Sequence, residues 1–368
     1  MDFGLYSELQ NWPGKTPAQV YGEALEQVAH GERCGFATYS LIEHFCFPEF
    51  SVSANPLAFF AAASQRTEAI RFRTLLHNLP AHNPVVLASQ IAALDILTGG
   101  RYEFGIGRGH GWLPPKIGVP LAESRPRYDE ATELLLAALE NERFSHQGDF
   151  WSVDDSHLAP LPPRRFRIFV GGTSDSTYVR AGERGWAIAV PPLLSYEMLR
   201  APLDLYREAC AAAGHEPDIV WIHACHLDED AELARRDAAR AIGRFMQAQI
   251  VAMPEAAPAE ELVAAGYGFY AAGVLESVAA KPYQELIDED MVWVGSPDEI
   301  AERIQAVVDV CAGLTEVAIT SNMGGMEHEG ALKTQQLFCE RIMPRFGVTA
   351  SAAAGDHPAS SSVEGSTP

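Results

Sequence analysis

In "SLIEHFCFPEF", Ser40 to Phe50, a carboxylate and an imidazole stand side by side where an apolar run ends, hemmed in by Phe45, Phe47 and Phe50. An imidazole, with an ordinary pKa of about 6.5, gives or takes a proton near neutrality. A carboxylate beside it orients the ring or balances its charge. Glu43 and His44 thus read either as the working end of a pocket or as a satisfied structural pair, and only their placement separates the two. Asn78 and His82, in "HNLPAHN", add polar groups of the same kind, whereas His77 reads as structural.

Two further stretches suit an anionic ligand. "GIGRGHG", Gly105 to Gly111, has the outline of a dinucleotide fingerprint. It fails because His110 replaces the last glycine and the chain runs into Trp112-Leu113-Pro114-Pro115 instead of opening a helix. What is left is a strand end where a flat ring can approach the backbone and Arg108 is presented, unless an acidic neighbour claims the guanidinium. In "VGGTSDST", Val170 to Thr177, two glycines precede small hydroxyl residues at a helix start. Exposed N–H groups and a positive dipole end make that a phosphate site. The alternative is an ordinary N-cap by Thr173 or Ser174, and Asp175 is an awkward charge beside a phosphate. Together, Arg108 and this helix start suggest a phosphate-bearing cofactor.

The elements that must position these groups alternate between strand and helix. "DFGLYS", "FATYSLI", "IRFRTLL", "RYEFGIG", "FRIFVGG", "WAIAV", "DIVWIHACHL" and "TEVAITSN" read as strands, joined through helices, with a small hairpin around "FSHQGDFWSV". Capping boxes at Thr16-Pro17-Ala18-Gln19 and Ser296-Pro297-Asp298-Glu299 open two of the helices, and Asn55-Pro56 and Asn83-Pro84 open two more. Eight strands with helical crossovers predict parallel pairing and a closed (β/α)8 TIM barrel, an α/β fold. In such a barrel catalytic groups sit at the C-terminal strand ends. Glu43 and His44, Asn78 and His82, Arg108 and His110, and Gly171 to Ser176 should therefore share one mouth.

Composition sets limits on partners. With 27 Lys+Arg against 49 Asp+Glu the formal charge is −22, which repels nucleic acid and anionic lipid. Six scattered cysteines without a C-x-x-C pair fit reduced thiols, with neither a disulfide framework nor a zinc site. No metal site is expected. The N-terminus has no signal-peptide pattern, and no run of about 18 apolar residues suggests a membrane span. A cytoplasmic protein is the expectation. Residues 1–348 should form the barrel, with about 228–290 as an insertion at the C-terminal rim that is a candidate lid. The tail 349–368, rich in Ser, Ala, Gly and Pro, reads as disordered.

"FATYSLIEHF", "NLPAHNPVVLASQIAALDILTGGRYEFGIGRG", "VGGTSDST", "WVGSPDEIAERIQ" and "IMPRF" together resemble bacterial luciferase and the luciferase-like flavin-dependent monooxygenases. The match holds to about Phe346 and is weakest in the inserted region. It implies a barrel that binds reduced FMN, supplied by a separate flavin reductase, and oxygenates a small organic substrate with dioxygen through a flavin C4a-peroxide. By position His44 matches the family's catalytic histidine and Glu43 the acidic residue before it. Arg108 matches the arginine that grips the FMN phosphate, with Thr173 and Ser176 in the partnering loop, where Gly172 replaces a luciferase glutamate. Leu75-Leu76 matches a non-prolyl cis peptide under the flavin ring. Gly107 stands where luciferase has a reactive cysteine, so light emission from a long-chain aldehyde is not implied. His82, His110 and Trp112 are candidates for substrate contact, and family members are usually homodimers. Two alternatives remain open at this stage. One is deazaflavin-dependent hydride transfer on the same fold. The other is a non-catalytic, flavin-binding subunit that stabilises a partner.

Overall fold

A computed structural model describes residues 1–162, 164–172 and 174–348. The expected disordered tail and Thr173 lie outside the described residues. In chain order the strands are β1 (Asp2–Ser7), β2 (Thr38–Leu41), β3 (Arg71–Asn78), β4 (Tyr102–Gly107), β5 (Phe144–Gln147), β6 (Ser152–Ser156), β7 (Ile168–Val170), β8 (Ala187–Ala189), β9 (Ile219–Leu227), β10 (Trp293–Gly295) and β11 (Leu314–Thr320). Strands β1, β2, β3, β4, β7, β8, β9 and β11 pair in parallel, and the β11–β1 and β8–β9 ladders close them into the expected barrel. β5 and β6 form the antiparallel hairpin off the cylinder. β10 is the strand the pattern does not isolate. It has three buried residues, extends the C-terminal half of β9, and merges in sequence with the capping box that follows.

Local chemistry explains the helix starts. Thr16 accepts from the Gln19 amide while the Gln19 side chain accepts from the Thr16 amide, and Pro17 supplies the preset first turn. Ser296 and Glu299 repeat the arrangement ahead of the helix Pro297–Val310. Asn55 and Asn83 cap the helices Pro56–Ser64 and Pro84–Leu97.

Side-chain alternation divides the core in two. Phe3, Leu5, Phe72, Phe104, Val317 and Ile319 belong to the cluster between the barrel and its helices. Tyr6, Leu75, Phe169, Ala189, Ile222 and Ala318 belong to a second cluster inside the barrel. One residue layer below Leu75 the interior turns ionic. The fully buried Arg73 lies 2.7 Å from Glu103 and 2.9 Å from Glu316, and its guanidinium lies 4.1 Å from the centre of the Phe169 ring. Thr38 donates to Glu316, and a Cβ at Gly4 would collide with both of those side chains, so this triad needs a glycine on β1. It plugs the barrel beneath the mouth.

The stretch 228–290 folds into the helix Ala231–Ile250 and the short helices Ala259–Ala264, Gly268–Ala271, Val274–Ala279 and Tyr283–Asp288. Among the described residues no helix is long and apolar enough to cross a membrane.

Candidate active site

A cavity of about 410 Å³ opens at the C-terminal ends of the strands, a size usual for small-molecule sites. Glu43, Leu75, Leu76, Arg108, His110 and Gly172 all line it, so six residues singled out in the sequence meet at one mouth. The Leu75–Leu76 peptide is cis, as the resemblance implies. A Cβ at Gly107 would lie 2.7 Å from Leu76 Cδ1. The space a cysteine would need at that position is thus held by the Leu76 side chain.

Glu43 is pinned from β3. The Asn78 amide donates to Glu43 Oε2 at 2.7 Å, and Asn78 Nδ2 donates to the Glu43 carbonyl at 2.7 Å. His82 Nε2 reaches both carboxylate oxygens, at 2.9 and 3.0 Å. His77 Nδ1 lies 3.5 Å from Oε1, while its Nε2 is 2.8 Å from the Tyr102 hydroxyl. Burial pushes the Glu43 carboxyl up, yet the contacts to His77 and His82 outweigh it and hold the pKa down at about 2. Burial alone would lower the His82 pKa, but its bond to Glu43 leaves it raised. Glu43 therefore rests as the carboxylate and favours the protonated form of His82. His82 is spent on Glu43 and does not line the cavity.

His44 lies one layer behind the wall. Trp112 Nε1 donates to His44 Nε2 at 3.2 Å, which leaves the proton of a neutral His44 on Nδ1. That buried nitrogen has no hydrogen-bond partner among the described residues, a condition that costs about 1–3 kcal/mol. The His44 ring packs 4.3 Å from Phe50 and edge-on to His110 at 5.3 Å. His110 in turn stacks on Trp112 at 4.6 Å. Burial first, and then the neighbouring His110, push the His44 pKa well down; burial lowers His110 to about 4. Both rings are neutral near pH 7. His110 faces the cavity, while His44 and Trp112 support it from behind.

Arg108 is aimed by the inserted segment. Its two terminal nitrogens donate to the Ala265 and Gly266 carbonyls at 2.8 and 2.7 Å, and the guanidinium lies 4.2 Å from the centre of the Tyr267 ring. These partners fix its direction without cancelling its charge. No carboxylate of the described residues pairs with it, although the chain carries 49 acidic residues. After β7, the neighbour of β4 in the barrel, Ser174 and Thr177 line the cavity at the start of the helix Asp175–Arg184, their hydroxyls 2.9 Å apart. Ser176 is exposed and stands 3.4 Å from the Ser174 hydroxyl without lining the cavity.

Sequence reasoning passed over other lining residues. Gln249, Gly266, Tyr267, Phe269 and Tyr270 come from the inserted segment, which thus forms part of the cavity wall. Glu8 follows β1, and the strand-end rule applied to β1 would have found it. It is 3% exposed. Leu9, beside it, is held at φ 48°, a left-handed conformation that costs about 1–3 kcal/mol in a branched residue. Burial raises the Glu8 pKa to about 8, against the lowering influence of bonds from Gln249, Tyr6 and Gln10.

A carboxyl raised from its ordinary 4.5 to about 8 keeps a proton in the fold that the unfolded chain has lost. The Glu8 contribution to stability should therefore fall as pH rises through that interval, which is the sign linkage requires. Urea denaturation of the parent and of Glu8→Gln across the window should show the parent losing stability relative to the variant as pH rises. The lowered pKa values of His44 and His110 act with the opposite sign in both proteins and cancel in the comparison. An unchanged slope in the variant would show that Glu8 is ionised throughout.

Proteins of known activity are similar to this chain. The family model for luciferase-like monooxygenases matches residues 1–313. Limonene 1,2-monooxygenase of Rhodococcus erythropolis is 26% identical over 354 residues, 94% of this chain and 87% of that protein. The crystal structure of the monooxygenase RslO1 from Streptomyces bottropensis is 26% identical, superposes with a TM-score of 0.80, and covers 94% of this chain and 100% of that one. The FMN complex of the oxygenating constituent of 3,6-diketocamphane monooxygenase from Pseudomonas putida shares the fold, with 22% identity and a TM-score of 0.75 over 94% of this chain and 98% of that one. With its barrel closed and the family match running over most of its length, the chain belongs to the luciferase-like monooxygenases.

Proposed function

We propose that the protein is the oxygenase of a two-component system, a flavin-dependent monooxygenase that uses reduced FMN and dioxygen to oxygenate a small organic substrate. The observation that carries this reading is Arg108. A guanidinium fixed at a cavity wall by two neutral carbonyls, with its charge unspent among the described residues, is built to receive an anion. The FMN phosphate would take that position, with the hydroxyls of Ser174 and Thr177 and the helix start on the neighbouring strand's loop. Leu75 and Leu76 would give the flavin ring an apolar bed.

Bound reduced FMN supplies the electrons that activate dioxygen for oxygen transfer. The protein's share is orientation, dryness and proton control. Leu75, Leu76, Phe269 and Tyr270 keep water from the cavity. Neutral His110 and His44 are the groups able to take up or release a proton, Trp112 sets the tautomer of His44, and ionised Glu43 holds the loop that carries His44. Reduced FMN arrives from a separate reductase. In support, "GIGRGHG" forms the end of β4 and its Arg108 loop instead of a nicotinamide fingerprint. Six free cysteines support a reducing, cytoplasmic setting. Val86, Ile96 and Leu97, exposed on the helix Pro84–Leu97, support a homodimer through that helix.

Anaerobic titration with reduced FMN tests the reading. Saturable binding is expected, and Arg108→Met should weaken it roughly ten- to hundredfold, the worth of a charge-assisted bond. An Arg108→Met protein that binds as well as the parent, or a folded parent that binds a deazaflavin and not FMN, would overturn it.

A further inference from the structure

Glu8 is a buried acid on the cavity wall that the proposed chemistry leaves unused. Its partners come from two parts of the fold. Gln10 and Gln249 both donate to Oε2, at 2.9 and 3.2 Å, whereas Oε1 has only the Tyr6 hydroxyl, at 3.5 Å. Gln249 lies near the end of the helix Ala231–Ile250, so the inserted segment helps fix the carboxyl. Gln10 is itself held, since its Oε1 accepts from the Gly324 amide. The oxygen that already accepts two bonds is the poor place for a proton; Oε1 is the better one. Tyr6 is the titratable group facing Glu8, and none of its partners among the described residues is a cation. The cavity that Glu8 lines is also walled by Tyr6, Ile42, Leu193, Ile222 and Leu275, side chains that are apolar in body.

We propose that Glu8 is a specificity-determining residue that acts as a neutral carboxylic acid. Its Oε1–H donates a hydrogen bond to the oxygen of an uncharged, mainly apolar substrate and so seats that substrate at the inner wall of the cavity. The substrate class is then a compact hydrocarbon frame bearing one accepting oxygen, such as a carbonyl. A substrate that is a cation at the same place would require the carboxylate, and an anion would be repelled once the group ionised. The inference takes from the proposed function only that this cavity holds the substrate.

A flavin-free binding experiment tests it, which keeps its outcome separate from that of the FMN titration. Adamantanone and adamantylammonium, alike in shape and different in charge, are titrated by calorimetry below and above about pH 8, where the carboxyl titrates. Adamantanone should bind the parent at the lower pH and lose affinity about tenfold at the higher, the value of one neutral hydrogen bond. Glu8→Gln keeps an N–H donor and folds without a buried charge, so it should bind adamantanone with no pH dependence. Glu8→Leu should lose about tenfold at the lower pH. The proposal is overturned if adamantanone binding is absent at the lower pH, or is the same at both pH values in the parent. It is also overturned if adamantylammonium binds the tighter of the two at the lower pH. Should the leucine variant fail to fold, the parent and glutamine arms still decide.

Discussion

His44→Ala is expected to lower turnover with reduced FMN and dioxygen by roughly 10²–10⁴-fold, the usual contribution of a positioned proton-transfer group. Reduced-FMN affinity should change little, because Arg108 and the Ser174–Thr177 turn lie on other strands' ends. The expectation rests on three features of one ring. His44 is neutral near pH 7, its Nε2 accepts from Trp112, and its buried Nδ1 is without a partner among the described residues. An orphaned nitrogen of this kind is tolerated where a ligand or a small movement completes it during turnover. Trp112→Phe keeps the aromatic wall and removes the donor that sets the tautomer. It should therefore fall between the parent and His44→Ala. Single-turnover rates after anaerobic loading separate the chemical step from binding. Equal losses in affinity and rate would mean that His44 serves the fold instead of the reaction.

Arg73→Ala should destabilise the free protein by about 3–5 kcal/mol, as removal of one partner from a buried ion cluster does. Arg73 is 0% exposed and bridges Glu103 and Glu316 across the barrel floor. Without it two carboxylates face each other in a space that the Phe169 ring also borders. Burial raises the Glu103 pKa and the charges of Arg73, Arg71 and Arg167 outweigh it, so the carboxyl now sits below its ordinary range. Loss of Arg73 should reverse that. The deficit should shrink in acid, where the Glu103 carboxyl is protonated. Combining Arg73→Met with Glu103→Gln and Glu316→Gln removes every charge of the triad and should recover most of the loss. Urea denaturation gives each value. A deficit under about 1 kcal/mol would mean that water reaches the floor and screens the charges.

The barrel and most of its mouth were legible because strand and helix periods differ and because the caps at Thr16, Asn83 and Ser296 are local. Once eight strands are placed in order, their C-terminal ends must share a rim, and Glu43, Arg108, His110 and Gly172 follow. The ion triad was not legible. Arg73, Glu103 and Glu316 each look like an ordinary strand charge, and only closure brings residues 243 positions apart within a hydrogen bond. The partners of Arg108 were equally hidden, since the carbonyls of Ala265 and Gly266 have no side-chain signature. His44 shows the limit from the other side. Its strand-end position places it near the mouth, but packing by Phe50, His110 and Trp112 decides that it stands behind the wall.

The proposed chemistry requires that one cavity hold reduced FMN between Arg108 and the Glu43–His44 loop. A crystal structure of the protein soaked anaerobically with reduced FMN tests it most directly. The expected result is the phosphate against Arg108 and the Ser174–Thr177 turn, with the ring over Leu75 and Leu76 and within reach of His110. FMN bound elsewhere, or its phosphate turned away from Arg108 at full occupancy, would contradict it.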